Sequence, residues 1–322
     1  MSPLSAATLL PTLGLTLAVG THVSTWGAFK DSLFEGYHPR RQVRTFALAA
    51  VGALAALALG VVQIRAMLPA LGVVYALERL ATEWWKAILR VDDQSAYTIP
   101  MRLGFRGRPV DVAWVRYLVG GVVAVGLVGV GLVMHLAQRG TGGLSAWVTV
   151  VTIGSLGGWA TAVGGAWKDA PVEGFSRWKF LRSPAVATAW AVPLSLLTVD
   201  WVTLCLAAGG MAVASIETYK TFLTGGRAPG KFEGKPVRWC EPGVRRALGV
   251  AHGGAWSMFA LVALAQVALA ASAQAATAAA SVGIGAAAAV LVVLRHNARL
   301  AVAPVTDLNS AEAVEPAGDR AA

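Results

Sequence analysis

Lys30-Asp31 and Glu35 form a KDxxxE pattern closed by Gly36, with Arg44 eight residues further on. The pattern recurs as Lys168-Asp169, Glu173 and Gly174, with Arg182 in the corresponding place. In a helix, Asp31 and Glu35 stand one turn apart on one face, as do Asp169 and Glu173. At that spacing two carboxylates can share a divalent cation such as Mg, or a proton. The adjoining Lys and Arg side chains suit a phosphate. The plainer alternative is that Asp31 and Glu35 pair with Lys30 and Arg44 and brace a helix hairpin, since structural ion pairs outnumber sites.

The recurrence is wider than the acidic pair. The full template, GA[FW]KDxxxEG[YF]x6R[ST], covers Gly27 to Thr45 and Gly165 to Ser183. Glu83-Trp84-Trp85-Lys86 is answered by Glu217-Thr218-Tyr219-Lys220, and Phe105 to Val110 by Phe232 to Val237. Kept order and spacing indicate a tandem duplication. The candidate catalytic set is therefore Lys30, Asp31, Glu35, Glu83 and Lys86, with Lys168, Asp169, Glu173, Glu217 and Lys220. Arg44, Arg182, Glu78 and Arg79 are the substrate-binding candidates, and Asp31, Glu35, Asp169 and Glu173 the metal ligands. Glu78 and Arg79 sit deep in an apolar segment, where ionisable groups are costly and turn inward. Their counterparts are Ala212 and Val213. An ion pair with Glu83 is the structural alternative to a substrate contact.

Composition decides which elements carry these residues. Hydrophobic residues make up 56% of the 322 and charged residues 14%, with mean hydropathy +0.60, which is the profile of an all-α polytopic membrane protein. Nine spans are read at about residues 6–29, 46–66, 67–89, 112–137, 145–167, 184–200, 201–222, 247–271 and 275–294. Two parallel four-helix repeats, 1–138 and 139–272, are followed by an extra helix at 273–298. A disordered tail over 299–322 carries Asp307, Glu312, Glu315 and Asp319. Repeats with an even number of spans enter the membrane in the same direction and are related by a pseudo-two-fold axis along its normal.

Most of the 27 Lys and Arg lie in residues 30–45, 86–116, 168–182 and 220–246, whereas Arg65 and Arg139 lie on the other side. The positive-inside rule makes the motif-bearing side cytoplasmic, with the amino terminus outside and the carboxyl tail inside, in an inner (cytoplasmic) membrane. No Lys or Arg occurs in the first twenty residues, so they read as an uncleaved span. The net charge of +10 is explained by topology and anionic headgroups, and nucleic acid is discounted.

Cys205 and Cys240 fall on opposite sides and cannot bridge. His22 and His252 share the cytoplasmic half of the membrane but read as packing residues, and His135 lies near the other face. No Gly-rich phosphate loop, HExxH or GxSxG occurs.

A pseudo-two-fold axis would gather both charged sets around one cytoplasmic vestibule. Nine spans with duplicated acidic motifs on cytoplasmic loops resemble the layout of UbiA-type prenyltransferases. The motifs differ: DxxxE at Asp31–Glu35 and Asp169–Glu173 replaces the longer NDxxDxxxD run, and the first follows span one instead of span two. The resemblance carries over no residue roles. The expected function is an intramembrane transferase-like enzyme acting on an anionic, phosphate- or diphosphate-bearing amphiphile among membrane lipids. A transporter using Glu78 and Arg79 is the alternative, and a non-catalytic subunit of a membrane complex is the third reading.

Overall fold

A computed structural model of the chain describes residues 6–63, 66–140, 144–224 and 230–300. Arg65 and the acidic tail lie outside the described residues. The described residues fold into nine long helices: α1 (Ala6–Glu35), α2 (Pro39–Ala58), α3 (Met67–Trp84), α4 (Ala113–Gly140), α5 (Ala146–Glu173), α6 (Arg177–Ser195), α7 (Trp201–Phe222), α8 (Pro242–Ala268) and α9 (Ala273–Leu300). Six of them, α2, α4, α5, α7, α8 and α9, are long and apolar enough to cross a membrane. Three charges, Glu78, Arg79 and Glu83, set α3 apart, and α6 carries Arg177, Lys179 and Arg182 in its first turns.

Two helices start earlier than their apolar runs. The sequence places span two at 46–66 and span six at 184–200, yet α2 begins at Pro39 and α6 at Arg177. Proline at the first position has the right φ and no N–H to waste. Before α6, Ser176 Oγ accepts from the Lys179 N–H at 3.4 Å, a side-chain cap. Helix ends follow backbone hydrogen bonding, and hydropathy follows the solvent, so the two boundaries separate by about a turn or two.

Both KDxxxEG copies end their helices alike. Gly36 has φ +79 and Gly174 φ +82, positive values that a residue without Cβ adopts at little cost and that end the helix. The later motif also repeats its turn, with Gly107 at φ +78 and Gly234 at φ +69. Around Arg106-Gly107, both with positive φ, Gly104–Phe105 and Arg108–Pro109 pair as a two-residue hairpin, as a type I′ turn requires.

One apolar core runs through the whole bundle, from Leu15 and Ala49 through Leu71, Leu204 and Phe259 to Val282. At its centre α3 crosses α7 with backbones in contact. A Cβ on Gly72 would strike Ala207, and one on Gly210 would strike the backbone of Gly72 and Ala76. Small residues allow that approach, and in a lipid environment close packing is what holds helices together. At the charged end, the α3–α4 and α7–α8 connections pack on each other over the end of α1. Phe34, Tyr97, Met101 and Phe232 cluster there, and the Thr98 N–H donates to Lys231 O at 2.8 Å.

Candidate functional site

The charged residues singled out by the motifs gather at one end of the bundle, bound to one another. Lys30 on α1 meets Glu217 on α7 at 2.8 Å, and Lys220 reaches the same carboxylate at 3.1 Å. Glu83 takes Lys86 at 2.9 Å and is also paired with Arg79. Lys168 lies within electrostatic reach of Glu83 and Asp169, and its Nζ stands 3.3 Å from Met101 Sδ.

Two of the acids are hairpin braces. Glu35 pairs with Arg41 across the α1–α2 turn, and Glu173 pairs with Lys179 across the α5–α6 turn. Both pairs have the same sequence separation, so the structural alternative describes these two glutamates, although the partner of Glu35 is Arg41 and not Arg44. Asp31 is held from a distant segment by Lys231 at 2.7 Å. Asp169 makes no ion pair among the described residues.

Asp31 and Glu35 line one cavity. Asp31, Glu35 and Glu173 are each turned to a Lys or Arg, and among the described residues no three His, Cys, Asp or Glu side chains form a metal-sized group.

Beside the first copy lies a cavity of about 90 Å³. Arg41, Arg44, Arg79, Lys86, Arg90 and Lys231 line it, against only two carboxylates, Asp31 and Glu35. Arg44 stacks its guanidinium 4.2 Å from the Trp85 ring, and its buried Nε has no hydrogen-bond partner among the described residues. Burial pushes the Lys231 ammonium below the ordinary lysine range, and Asp31 restores only part of the loss. Arg79 and Lys86 are paired with Glu83 and Arg90 with Asp92 at 2.6 Å, so Arg44 is the cation of this lining that makes no ion pair among the described residues, and its free donor suits an anion. Arg182 belongs to the second copy and does not line this cavity; its buried Nε is likewise unpartnered.

Glu78 is fully buried. Thr82 donates to its Oε1 at 2.7 Å, Arg79 stands 3.8 Å away, and Oε2 lacks a hydrogen-bond partner among the described residues. Both members of the Glu78-Arg79 pair therefore turn into the bundle, as their cost in an apolar span demands.

Beneath this charged end lies a group that the sequence reading set aside. His22 on α1 and His252 on α8 are both fully buried, with ring centroids 4.3 Å apart. Their hydrogen bonds can be ordered from the indole groups, which only donate. Trp26 Nε1–H donates to Tyr75 OH at 3.2 Å, so Tyr75 donates to His22 Nδ1 at 3.0 Å. That leaves the proton of His22 on Nε2, which donates to Thr218 Oγ1 at 3.3 Å. Trp256 Nε1–H donates to the same oxygen at 3.1 Å. With two donors received, the single Thr218 hydroxyl proton lies between two acceptors, the Ala214 carbonyl at 2.9 Å and His252 Nε2 at 3.1 Å. His252 Nδ1–H then donates to Thr25 Oγ1 at 2.9 Å, and Thr25 to the Thr21 carbonyl at 2.6 Å. Every polar atom of the chain is satisfied with both imidazoles neutral, which is what an apolar interior requires.

The local signal for this network was present as Thr21, His22, Thr25 and Trp26, a polar patch at helical spacing in an apolar span. Its partners Tyr75, Thr218 and His252 lie on other helices, and nothing local links them. Cys205 and Cys240 are free thiols. No family model, curated protein or solved structure matches this chain.

Proposed function

We propose that the chain is a multi-pass protein of the cytoplasmic membrane, built from two parallel four-helix repeats and an extra helix. In this reading it acts as an enzyme on the phosphate or diphosphate head of a lipid-like molecule, received at the cytoplasmic side. The observation that carries the reading is the cavity beside Asp31, lined by cationic side chains of which Arg44 makes no ion pair among the described residues and keeps a buried donor free. Lys and Arg in a partly dry pocket neutralise a bound phosphate and stabilise charge that develops on it. The proposal rests on the anion alone, and the divalent cation is not part of it.

A carrier is the second reading, favoured by one observation: Glu78 is fully buried with an unpartnered oxygen. The two readings part on turnover. A lipid phosphate should raise the melting temperature of the detergent-solubilised protein, and the corresponding alcohol should not. Arg44→Gln or Arg90→Gln should weaken that binding by about tenfold to a hundredfold, the worth of one charge-assisted hydrogen bond. Equal binding of phosphate and alcohol would refute the anion site. Binding with exchange across vesicles, without any new product by mass spectrometry, would replace the enzyme with the carrier.

A further inference from the structure

Asp31 and Ser32 stand near the end of α1 and Arg44 near the start of α2, and all three line the cavity of about 90 Å³ beside the Gly36 turn. Several polar groups of that lining are committed within the protein. Thr45 donates to Arg41 O at 3.1 Å, Thr82 to Glu78 Oε1 at 2.7 Å and Gln42 to Tyr37 OH at 2.7 Å. Both carboxylates have their cations, Glu35 with Arg41 and Asp31, through Oδ2, with Lys231.

Three atoms of the lining residues stand apart. Asp31 Oδ1, Ser32 Oγ and Arg44 Nε are buried with no hydrogen-bond partner among the described residues. Ser32 as a whole is 3% exposed. A helical serine or threonine can turn its hydroxyl back onto the carbonyl four residues earlier, as Thr45 does, and Ser32 does not. Buried polar groups of this kind are costly until a partner completes them.

What the three atoms lack differs. Arg44 Nε–H can only donate, the ionised Asp31 oxygen can only accept, and the Ser32 hydroxyl does either. A bare phosphate or diphosphate offers acceptors to Arg44 but sets like charge against Asp31. An ammonium on the ligand would suit Asp31 alone, yet Lys231 already neutralises that carboxylate and the remaining lining is cationic. A neutral hydroxyl carried beside the phosphate serves all three atoms and adds no charge.

We propose that the head received by this cavity is a phosphate ester of a polyol, with its phosphate on Arg44 and a free hydroxyl donating to Asp31 Oδ1 and paired with Ser32. The inference rests on the anion reading of the same cavity and narrows it to one class of head. The test is native mass spectrometry of the full chain from micelles doped with phosphatidylglycerol or with phosphatidylpropanol, which has the same charge and chains but no free hydroxyl. Wild type should retain phosphatidylglycerol about tenfold or more over phosphatidylpropanol, the worth of one hydrogen bond to a charged group. Ser32→Ala should bring that preference down to about twofold or less, while the melting temperature without lipid holds or rises, because an unpaired hydroxyl has been removed. Arg44→Gln should lower retention of both lipids alike and keep their ratio. Equal retention of the two lipids by wild type, with both still lost in Arg44→Gln, would overturn the polyol head and leave the anion reading standing, water then serving Asp31 and Ser32. A preference that Ser32→Ala leaves intact would overturn it as well. Retention of neither lipid beyond uncharged diacylglycerol would overturn the inference and the anion reading together. Soluble glycerol phosphate binding as tightly as phosphatidylglycerol would support the polyol head and replace the lipid with a free ester as its source.

Discussion

Two helix interfaces with matching sequence elements have opposite character. Helix α8 carries Val244-Arg245 and then Gly249; helix α4 carries Val115-Arg116 and then Gly120. On α8, Arg245 donates to the Phe29 carbonyl of α1 at 2.7 Å and stacks 4.1 Å from the Phe29 ring. Two turns on, His252 bonds Thr25. Asn297 of α9 lies over Gly249 and donates to Arg246 O at 2.9 Å. At the positions that the repeat makes equivalent, Phe29 becomes Trp167, Thr25 becomes Val163 and His252 becomes Val123, and α4 instead meets α7 and the end of α3. No polar pair remains to close the helices, and Arg116 is left without a partner among the described residues. The same short motif thus yields a sealed interface where polar groups must satisfy one another, and an open one where only apolar contact is on offer.

The comparison breaks most sharply at Thr218, the junction of the sealed side. Thr218→Val keeps the shape but removes the hydroxyl that receives from His22 and Trp256 and whose proton lies between the Ala214 carbonyl and His252 Nε2. Three buried groups then lack partners, at about 1–3 kcal/mol each before relaxation. The expected loss is about 3 kcal/mol or more, read as a fall in the unfolding midpoint in detergent. A change within about 0.5 kcal/mol, the range of a neutral surface substitution, would mean that the network is not a structural seal.

The two arginines sharpen it next. Arg245→Gln removes a charge-assisted bond and a ring contact, so about 2 kcal/mol should be lost. Arg116→Gln in lipid-free detergent removes an unpaired buried charge, so stability should hold or rise slightly. Differential scanning of the two variants side by side decides the matter: equal losses would show that Arg116 is as well partnered as Arg245, and the contrast between the interfaces would be lost.

The helices, their order and most of the charged end were legible in the sequence because each depends on local pattern. Apolar runs of spanning length, Gly36 and Gly174 after the acidic pairs, and the repeated turn at Gly107 and Gly234 all act within a few residues of themselves. Partner choice was not legible. Asp31 takes Lys231 and Lys30 takes Glu217, each across about two hundred residues of chain, so only the packing of α1 against α7 and its following loop selects them. His22 and His252 looked like isolated packing residues for the same reason. Helix α4 shows a further limit: it is the most apolar of the six long spans and the least buried, because hydropathy reports the surrounding solvent and is silent on whether that solvent is lipid or protein.

The smallest expected effect concerns Lys231, which links Asp31 of the first copy to the cavity and has no counterpart beside Asp169. Its folded pKa lies below the ordinary value of about 10.4, because burial outweighs the pull of Asp31. Between the folded and unfolded values the unfolded chain holds a proton that the folded chain has released. Stability therefore rises with pH through that window, and below both values the term is constant. Lys231→Arg keeps a cation opposite Asp31 but does not titrate there, so the difference in unfolding midpoint between wild type and variant should shift in favour of wild type as pH climbs towards 10. A difference that stays flat, or moves the other way, would mean that Lys231 is solvated or that Asp31 holds it charged, and the cavity beside the first copy would then be wetter than its lining suggests.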